Sequence, residues 1–259
     1  MLDIAIQIVN YKTKKYTINC IDGIIGDLKN SEIIYKIFVL DNASGDRFDD
    51  IDDRYENVEF YYGDKNVGFG EGHNILAGKS ESDYLLLVNP DISFNENATV
   101  QRLYERIKKN KDTIKVVGPK LVLGNGNSQP WDHSELKGLR ARFNRFFCES
   151  YWVDRDIEGE VEWVSGAFFL VERKIFDVLG KFDPMFFLYD EEVDLCLRIK
   201  RKGYVIWYYP VVHVMHYGSV VASKNLFLSK SRAYLIEKYT KGKWYGFIVR
   251  WVNKIQGKI

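Results

Sequence analysis

Residues 82–94 read SDYLLLVNPDISF. The stretch from Tyr84 to Val88 is a continuous apolar run, short and bounded by polar residues, so it is a buried strand. Pro90 stops it, because proline has no N–H to donate to a following ladder. Asp91 then stands just outside the sheet, two residues after Asn89. Strands apolar on both faces belong to largely parallel sheets covered by helices, and in such sheets ligands sit beyond the carboxyl ends of the strands. The residues that close each strand therefore matter most.

Outward from this strand, the period alternates. DIAIQIVN (3–10), EIIYKIFVLDN (32–42) and NVEFYYGD (57–64) have strand character,. Helical spacing follows in KYTINCIDGIIGDLK (15–29) and recurs over Glu71–Ala77 and Asn97–Asn110,. YVIWYYPVVHVMHY (204–217) is a buried strand with its exit, Pro210 and two histidines excluding a membrane span,. The expectation is an α/β fold with a mostly parallel central sheet flanked by helices. Its strands close on Asn10 with Tyr11, Asp41 with Asn42, Gly63 with Asp64, and Asn89 with Pro90 and Asp91. Each alone is ordinary turn chemistry. Four in succession on one rim point to a ligand site.

Asp41 is placed to accept hydrogen bonds from a ribose hydroxyl or a base N–H, or to make an Asx turn. NVGFGEGHN (66–74) sets Gly68, Gly70 and Gly72 ahead of a short helix. There, backbone amides approach a diphosphate at a helix amino end, which makes Gly68, Gly72 and Asn74 donor-binding candidates beside Asn10, Asp41 and Asn89. The spacing Gly-x-Gly-x-Gly after the third strand is not a dinucleotide fingerprint. Gly78-Lys79-Ser80 is not a P-loop, because its first glycine would fall at His73 and Gly78 stops a helix,. A single strand-end carboxylate, Asp91, either caps a turn or suits Mg²⁺ or Mn²⁺, which complete their shells with phosphate oxygens.

Composition limits the function classes. The chain has 259 residues and 46% hydrophobic content, enough for a substantial core,. The net charge of +1 gives no global reason to expect nucleic acid,. The carboxyl-terminal segment differs, since residues 224–259 hold nine Lys and Arg against Glu237 alone. Cys20, Cys148 and Cys196 are far apart and odd in number, which argues against a disulfide framework or zinc site and for a reducing, cytoplasmic setting,. MLDIAIQIVNYKTKKY reads as a first strand, not a leader,.

FFLYDEEVDLCLRIKRKGY (186–204) places Asp190, Glu191, Glu192 and Asp194 within five positions. A helix from near Asp190 to Gly203 turns about 100° per residue. With Val193 at zero, Asp194, Arg198 and Arg201 share a polar face, with Asp194 and Arg198 at i,i+4 spacing. Glu191 borders Arg198. Glu192 falls near 260°, between Ile199 and Cys196 on an apolar face, and has no helical cation partner. Asp190 is the expected N-cap. A carboxylate at a helix amino end on a semi-buried face is suited to proton abstraction.

The motifs VNYK, VLDNASGD, NVGFGEGHN, LLLVNPDISF, WVSGAFFLVERKIFDVLGKFDPMFFLYDEEVDLCLRIKRKGY and YYPVVHVMHYGS, running from Val9 to Ser219, resemble family 2 glycosyltransferases. The likeness is to the bacterial rhamnosyltransferase-like branch. It implies a GT-A fold, with residues 1–224 as one catalytic domain: 1–110 the nucleotide-sugar half and 111–224 the acceptor and base half. It implies that Asp41 contacts the nucleoside, that Asn89 and Asp91 stand for the Asp-x-Asp metal motif, and that His216 completes the metal site. On its own, His216 has the alternative of a core histidine; His213 is structural. The family places Glu then Asp where this chain has Glu191 then Glu192, which makes Glu192 the base and leaves Glu191 a secondary candidate.

The implied reaction is inverting transfer of a sugar, L-rhamnose from dTDP-rhamnose, to a glycan or polyprenyl-linked saccharide. In WVSGAFF (163–169), Gly166 allows close backbone approach, and Trp163 is either a sugar platform or a core residue,. Residues 225–259 form a helical extension whose segment 241–259 interleaves Lys and Arg with Trp244, Tyr245, Phe247 and Trp251, as membrane-surface helices do,. It either holds the protein at the inner face of the membrane or packs on the body with a basic outer face. Of the alternatives, a nucleotidyltransferase needs a glycine- and arginine-rich loop where this chain has NYKTKKYT, and an oxidoreductase fails on glycine spacing. A non-catalytic sugar-binding module would not need metal and base residues together.

Overall fold

The computed structural model describes residues 1–136, 149–218, 224–255 and 257; Cys148 and the final residues of segment 241–259 lie outside them. Strand β1 (Leu2–Asn10) leads through helix α1 (Lys14–Leu28) to β2 (Tyr35–Asp41) and then β3 (Val58–Tyr62). Helix α2 (Phe69–Ala77) precedes β4 (Ser82–Val88) and the short β5 (Ile92–Phe94). Helix α3 (Thr99–Lys109), β6 (Ile114–Val122), β7 (His133–Ser134), β8 (Gly159–Val161), β9 (Trp163–Val164), β10 (Phe168–Glu172) and α4 (Arg173–Val178) follow. The chain ends with α5 (Glu191–Arg201), β11 (Val205–His216), α6 (Lys224–Thr240) and α7 (Gly246–Ile255).

The main sheet has the order β3-β2-β1-β4-β10-β6-β11-β5, with β8 paired to β11. Strands β3, β2, β1 and β4 are mutually parallel, as are β6 and β11, while β10, β5 and β8 run antiparallel to their neighbours. Strand side chains alternate between faces, and both faces here are apolar. Ile4, Ile6, Ile8, Leu86 and Val88 meet Ile21, Ile24, Leu103 and Ile107 of α1 and α3. Ala5, Leu85, Leu87 and Phe169 meet Leu76, Phe176, Leu195 and Ile199 of α2, α4 and α5.

Because β1 pairs with both β2 and β4, the strand order reverses beside β1 and opens a crevice at the carboxyl ends of β1 and β4,. Two antiparallel returns fill it. Phe168 of β10 pairs with Val88, and the Asn89 amide donates to Ala167 O at 2.9 Å, which brings residues 165–167 to the end of β4. His216 of β11 pairs with Ile92 of β5, next to Asp91. β11 slips its register against β6 between Tyr209 and His213, so Pro210 falls in a bulge where no amide is needed,.

Helix α5 ends as expected, Gly203 following the cap at φ 85°,. Its start differs. Asp190 occupies the N-cap position at φ 67°, but its side chain makes no capping hydrogen bond, because the left-handed backbone turns it away from the helix amides.

Gly68 enters α2 at φ 86°, and a Cβ there would lie 2.2 Å from Phe187 O. Gly68→Ala is expected to destabilise the fold by roughly 2–4 kcal/mol, from left-handed strain plus a clash with backbone. Denaturant unfolding checks this, and an unchanged midpoint would contradict it.

Candidate active site

The site is built from the strand ends upward. Register sets Asn10 opposite Asp41. Asn10 Nδ2 donates to Asp41 Oδ1 at 2.7 Å and to Asp46 Oδ2 at 3.0 Å, while its Oδ1 accepts the hydroxyls of Thr13 and Thr17, both at 2.8 Å. Every side-chain polar atom of Asn10 is bonded within the protein, so it ties β1 to α1 and to loop 41–46. Asp41 is buried and accepts the Ser44 amide at 3.1 Å and the Ser44 hydroxyl. It shapes the loop after β2 through the Asx-type turn its position allowed,.

The glycines of α2 are required by packing. The Gly68 amide donates to Asn66 Oδ1 at 2.9 Å and the Phe69 amide to Phe187 O at 2.9 Å, so these two N–H groups are already bonded within the protein. A Cβ on Gly72 would touch Val9 at 3.0 Å, and one on Gly70 would meet Phe182 at 3.0 Å and Glu191 at 3.4 Å. Asn74 is bonded within the protein too: its Nδ2 donates to Glu71 at 2.8 Å and Phe182 O at 3.0 Å, and its Oδ1 accepts the Phe182 amide at 3.0 Å. Together these contacts seat α2 between β1 and the chain leading to α5.

Beyond β4, Asp91 and His216 meet. His216 Nε2 lies 3.2 Å from Asp91 Oδ1, and Asn89 Nδ2 lies 3.2 Å from the same nitrogen. His216 Nδ1 is 2.7 Å from Gln129 Oε1. An amide oxygen there accepts the Nδ1 proton and holds the ring with Nε2 toward the carboxylate. Asp91 Oδ2 accepts the Gly218 amide at 2.9 Å. Burial pushes the Asp91 carboxyl up, but His216 and the Gly218 amide more than offset this and hold it below the usual range. Among the described residues no three His, Cys, Asp or Glu side chains cluster as a cation cage. One carboxylate and one imidazole fit Mg²⁺ or Mn²⁺ bound jointly with phosphate oxygens and water. His213 points elsewhere, its Nδ1 2.9 Å from Glu96 Oε1.

On the facing side stand the carboxylates of α5. Asp194 is buried and bonds Arg198 Nε, Lys238 Nζ and the Tyr239 hydroxyl, each at 2.8 Å, so the polar face of α5 is covered by α6 and not by water. Glu191 is buried against Gly70, away from Arg198, and Glu192 is half-buried beside Gly166, whose added Cβ would meet the Phe69 ring at 3.3 Å and Glu192 Cβ at 3.7 Å. Glu191 Oε2, Glu192 Oε2 and Asp190 Oδ2 are shielded from solvent and lack hydrogen-bond partners.

Unpaired buried oxygens favour the protonated form. Burial first, then the Glu192 charge, pushes Glu191 well above its ordinary range. Burial first, then the Asp190 charge, raises Glu192 to about 7, with the Gly166 amide and Arg232 acting in the other direction. Neighbouring carboxyls of this kind share a proton and titrate as a pair. Glu192 is thereby a carboxylate poised to take up a proton near neutral pH.

Trp163 resolves to the core reading: it is 6% exposed and its Nε1 donates to Ser150 at 3.0 Å, so it offers no face to a sugar. Two residues of the site left no trace in the sequence pattern. Gln129 sits in a polar loop, and Arg232, whose Nη2 is 2.8 Å from Asp190 Oδ1, lies in the basic tail. Neither belongs to a motif with a characteristic spacing.

The chain matches the model of glycosyl transferase family 2 over residues 5–180, and a glycosyltransferase-like family 2 model over residues 140–237. It is similar to rhamnosyltransferase WbbL of Escherichia coli K12, 26% identical over 214 residues, which span 76% of this chain and 78% of that protein. It is also similar to an N-acetylglucosaminyl-diphospho-decaprenol L-rhamnosyltransferase of Mycobacterium tuberculosis, 25% identical over 186 residues, or 63% of this chain and 60% of that one. A solved structure of GalNAc-T7 with UDP, GalNAc and Mn²⁺ superposes with a TM-score of 0.62 at 16% identity, covering 83% of this chain and 44% of that one, a likeness in fold: GT-A.

The buried carboxylates make a prediction independent of any substrate. The pKa of Glu192 is raised on folding, so its stabilising contribution is fully present below the ordinary carboxylate range and is lost as pH rises through about 7,. Glu192→Gln cannot ionise. Its gain in thermal midpoint over wild type is expected to be larger at about pH 8 than at about pH 4; equal shifts at both would contradict the arrangement.

Proposed function

The chain belongs to glycosyl transferase family 2, and from that premise we propose an inverting, metal-dependent transferase that moves L-rhamnose from dTDP-L-rhamnose to a hydroxyl of a glycan or polyprenyl-linked saccharide, in cell-surface polysaccharide synthesis. The observation that carries this reading is the bond from the Asn89 amide to Ala167 O. It joins the Asp91–His216 pair to Gly166, against which Glu192 rests. Leaving-group and proton-accepting chemistry thus face one crevice. The names of the relatives favour rhamnose and a diphosphate-lipid acceptor.

In this reading residues 1–110 receive the nucleotide sugar, with Asp41 and its loop toward the nucleoside. Asp91 and His216 would hold Mg²⁺ or Mn²⁺, which would supply positive charge beside the departing diphosphate. Glu192 takes the proton of the acceptor hydroxyl as that oxygen bonds to the anomeric carbon. The carbon–oxygen bond to the diphosphate breaks on the opposite face, so one displacement inverts the centre. Glu191, buried against Gly70 and raised well above its ordinary range, stays protonated beside it and leaves Glu192 as the member of the pair that ionises,.

The carboxyl-terminal segment supports a cytoplasmic protein at the inner membrane face. Helix α7 packs inward through Gly246, Val249 and Asn253, while Trp244, Phe247, Trp251 and Ile255 are exposed next to Lys243, Arg250 and Lys254. An exposed surface that is aromatic and basic together suits an anionic lipid interface. No helix among the described residues is long and apolar enough to cross a membrane.

Glu192→Gln is expected to lower kcat/KM by about 10²–10⁴-fold while donor-induced thermal stabilisation persists. Asp91→Ala is expected to lose both activity and the Mn²⁺-dependent part of that stabilisation. Wild-type kcat/KM rises with pH through about 7, because the base works ionised,. A panel of dTDP-L-rhamnose and UDP-hexoses with Mn²⁺ reads the donor, and a wild-type protein inert to all of them would instead favour a sugar-binding module. Separately, replacing Trp244, Phe247 and Trp251 by Ser is expected to abolish flotation with phosphatidylglycerol vesicles; undiminished flotation would remove the membrane contact.

A further inference from the structure

Tyr189 and Asp190 lie consecutively in the left-handed region, at φ 73° and 67°. Two such non-glycine residues persist only where surrounding contacts over-determine them. The contacts come from α6. Ser231 Oγ donates to Leu188 O at 2.7 Å, and Arg232 Nη2 reaches Asp190 Oδ1 at 2.8 Å. Further along, Tyr234 and Lys238 bond Asp183, and Lys238 and Tyr239 bond Asp194. One helix thus grips the turn before α5 and the first turn of α5.

Docking alone does not call for a charge at Arg232. A buried ion pair stabilises little compared with apolar packing of the same volume, and Asp190 is 4% exposed. What Arg232 does is local: it is the cation set against a run of three carboxyls. Glu192 is faced from its own segment by Tyr189, Asp190, Glu191 and Cys196, from α6 by Arg232, and from the loop before β10 by the Gly166 amide. We propose that Arg232 is a positioning residue of the transferase: by binding the Asp190 carboxylate it holds the strained turn into α5 and cancels the charge beside Glu192. The inference rests on Glu192 being the base.

With Arg232 neutral, Glu192 loses the nearby cation that favours its ionised form and becomes harder to ionise,. Arg232→Gln is expected to move the acid limb of the kcat/KM–pH profile up by about one pH unit, a roughly tenfold loss near neutrality that is recovered at higher pH. Arg232→Lys, which keeps the charge, keeps the limb near its original place. Asp190→Asn moves the limb down, and asparagine tolerates the left-handed backbone. The double variant Asp190→Asn/Arg232→Gln returns the limb toward wild type and leaves no buried charge unpaired, so it reports even if Arg232→Gln fails to fold. Equal losses at every pH in Arg232→Gln, or a limb unmoved in Asp190→Asn, would overturn the inference. A fully active Glu192→Gln enzyme would remove the base reading and this inference together; an inactive one with an immobile limb would remove the inference alone.

Discussion

One backbone hydrogen bond, from the Asn89 amide to Ala167 O, carries the architecture of the site. The parallel strands β3, β2, β1 and β4 deliver their closing residues to one rim, but that rim alone offers a carboxylate and little else. Function needs the chain to come back antiparallel. β10 returns along β4 and sets Gly166 beside Glu192; β11 returns along β5 and sets His216 beside Asp91. Pro90 makes both returns possible, since it ends the β4 ladder and frees the next residues to turn.

The base side is arranged against stability. Three consecutive carboxyls, each with a buried oxygen lacking a partner, oppose folding whenever they ionise,. Packing from elsewhere offsets this. Gly70 of α2 lets Phe182 and Glu191 pack closely against the helix, and α6 binds the turn ahead of Glu191. The carboxyl-terminal helices thereby do more than extend the chain: one face of α6 completes the support of α5, while α7 turns aromatic and basic residues outward.

Sequence pattern was a sound guide where a residue's role follows from its own neighbours. Apolar period and strand length disclose the layered sheet, because burial on two faces leaves no polar alternation. Gly203 as helix stop and Asp194 with Arg198 follow from helix geometry alone. The i,i+4 wheel likewise separated Glu192 from its neighbours. It misjudged Glu191, which a wheel places near Arg198 but which Gly70 of α2 receives instead.

Long-range partners decided the remainder. Asn10, Asn74 and the glycines of α2 carry the composition of a ligand loop, yet their hydrogen bonds and close approaches are consumed by protein atoms up to about a hundred residues away in sequence,. Trp163 has the chemistry of a sugar platform and the burial of a core residue. Gln129 meets His216 and Arg232 meets Asp190 at distances fixed by strand pairing and helix docking. The sequence by itself determined the α/β layers, the strand-end acid Asp91 and the carboxylate cluster, since local period and chemistry encode these. Which polar groups remain available for chemistry was decided only by the tertiary structure, because hydrogen-bonding capacity is used up by neighbours that no local pattern names.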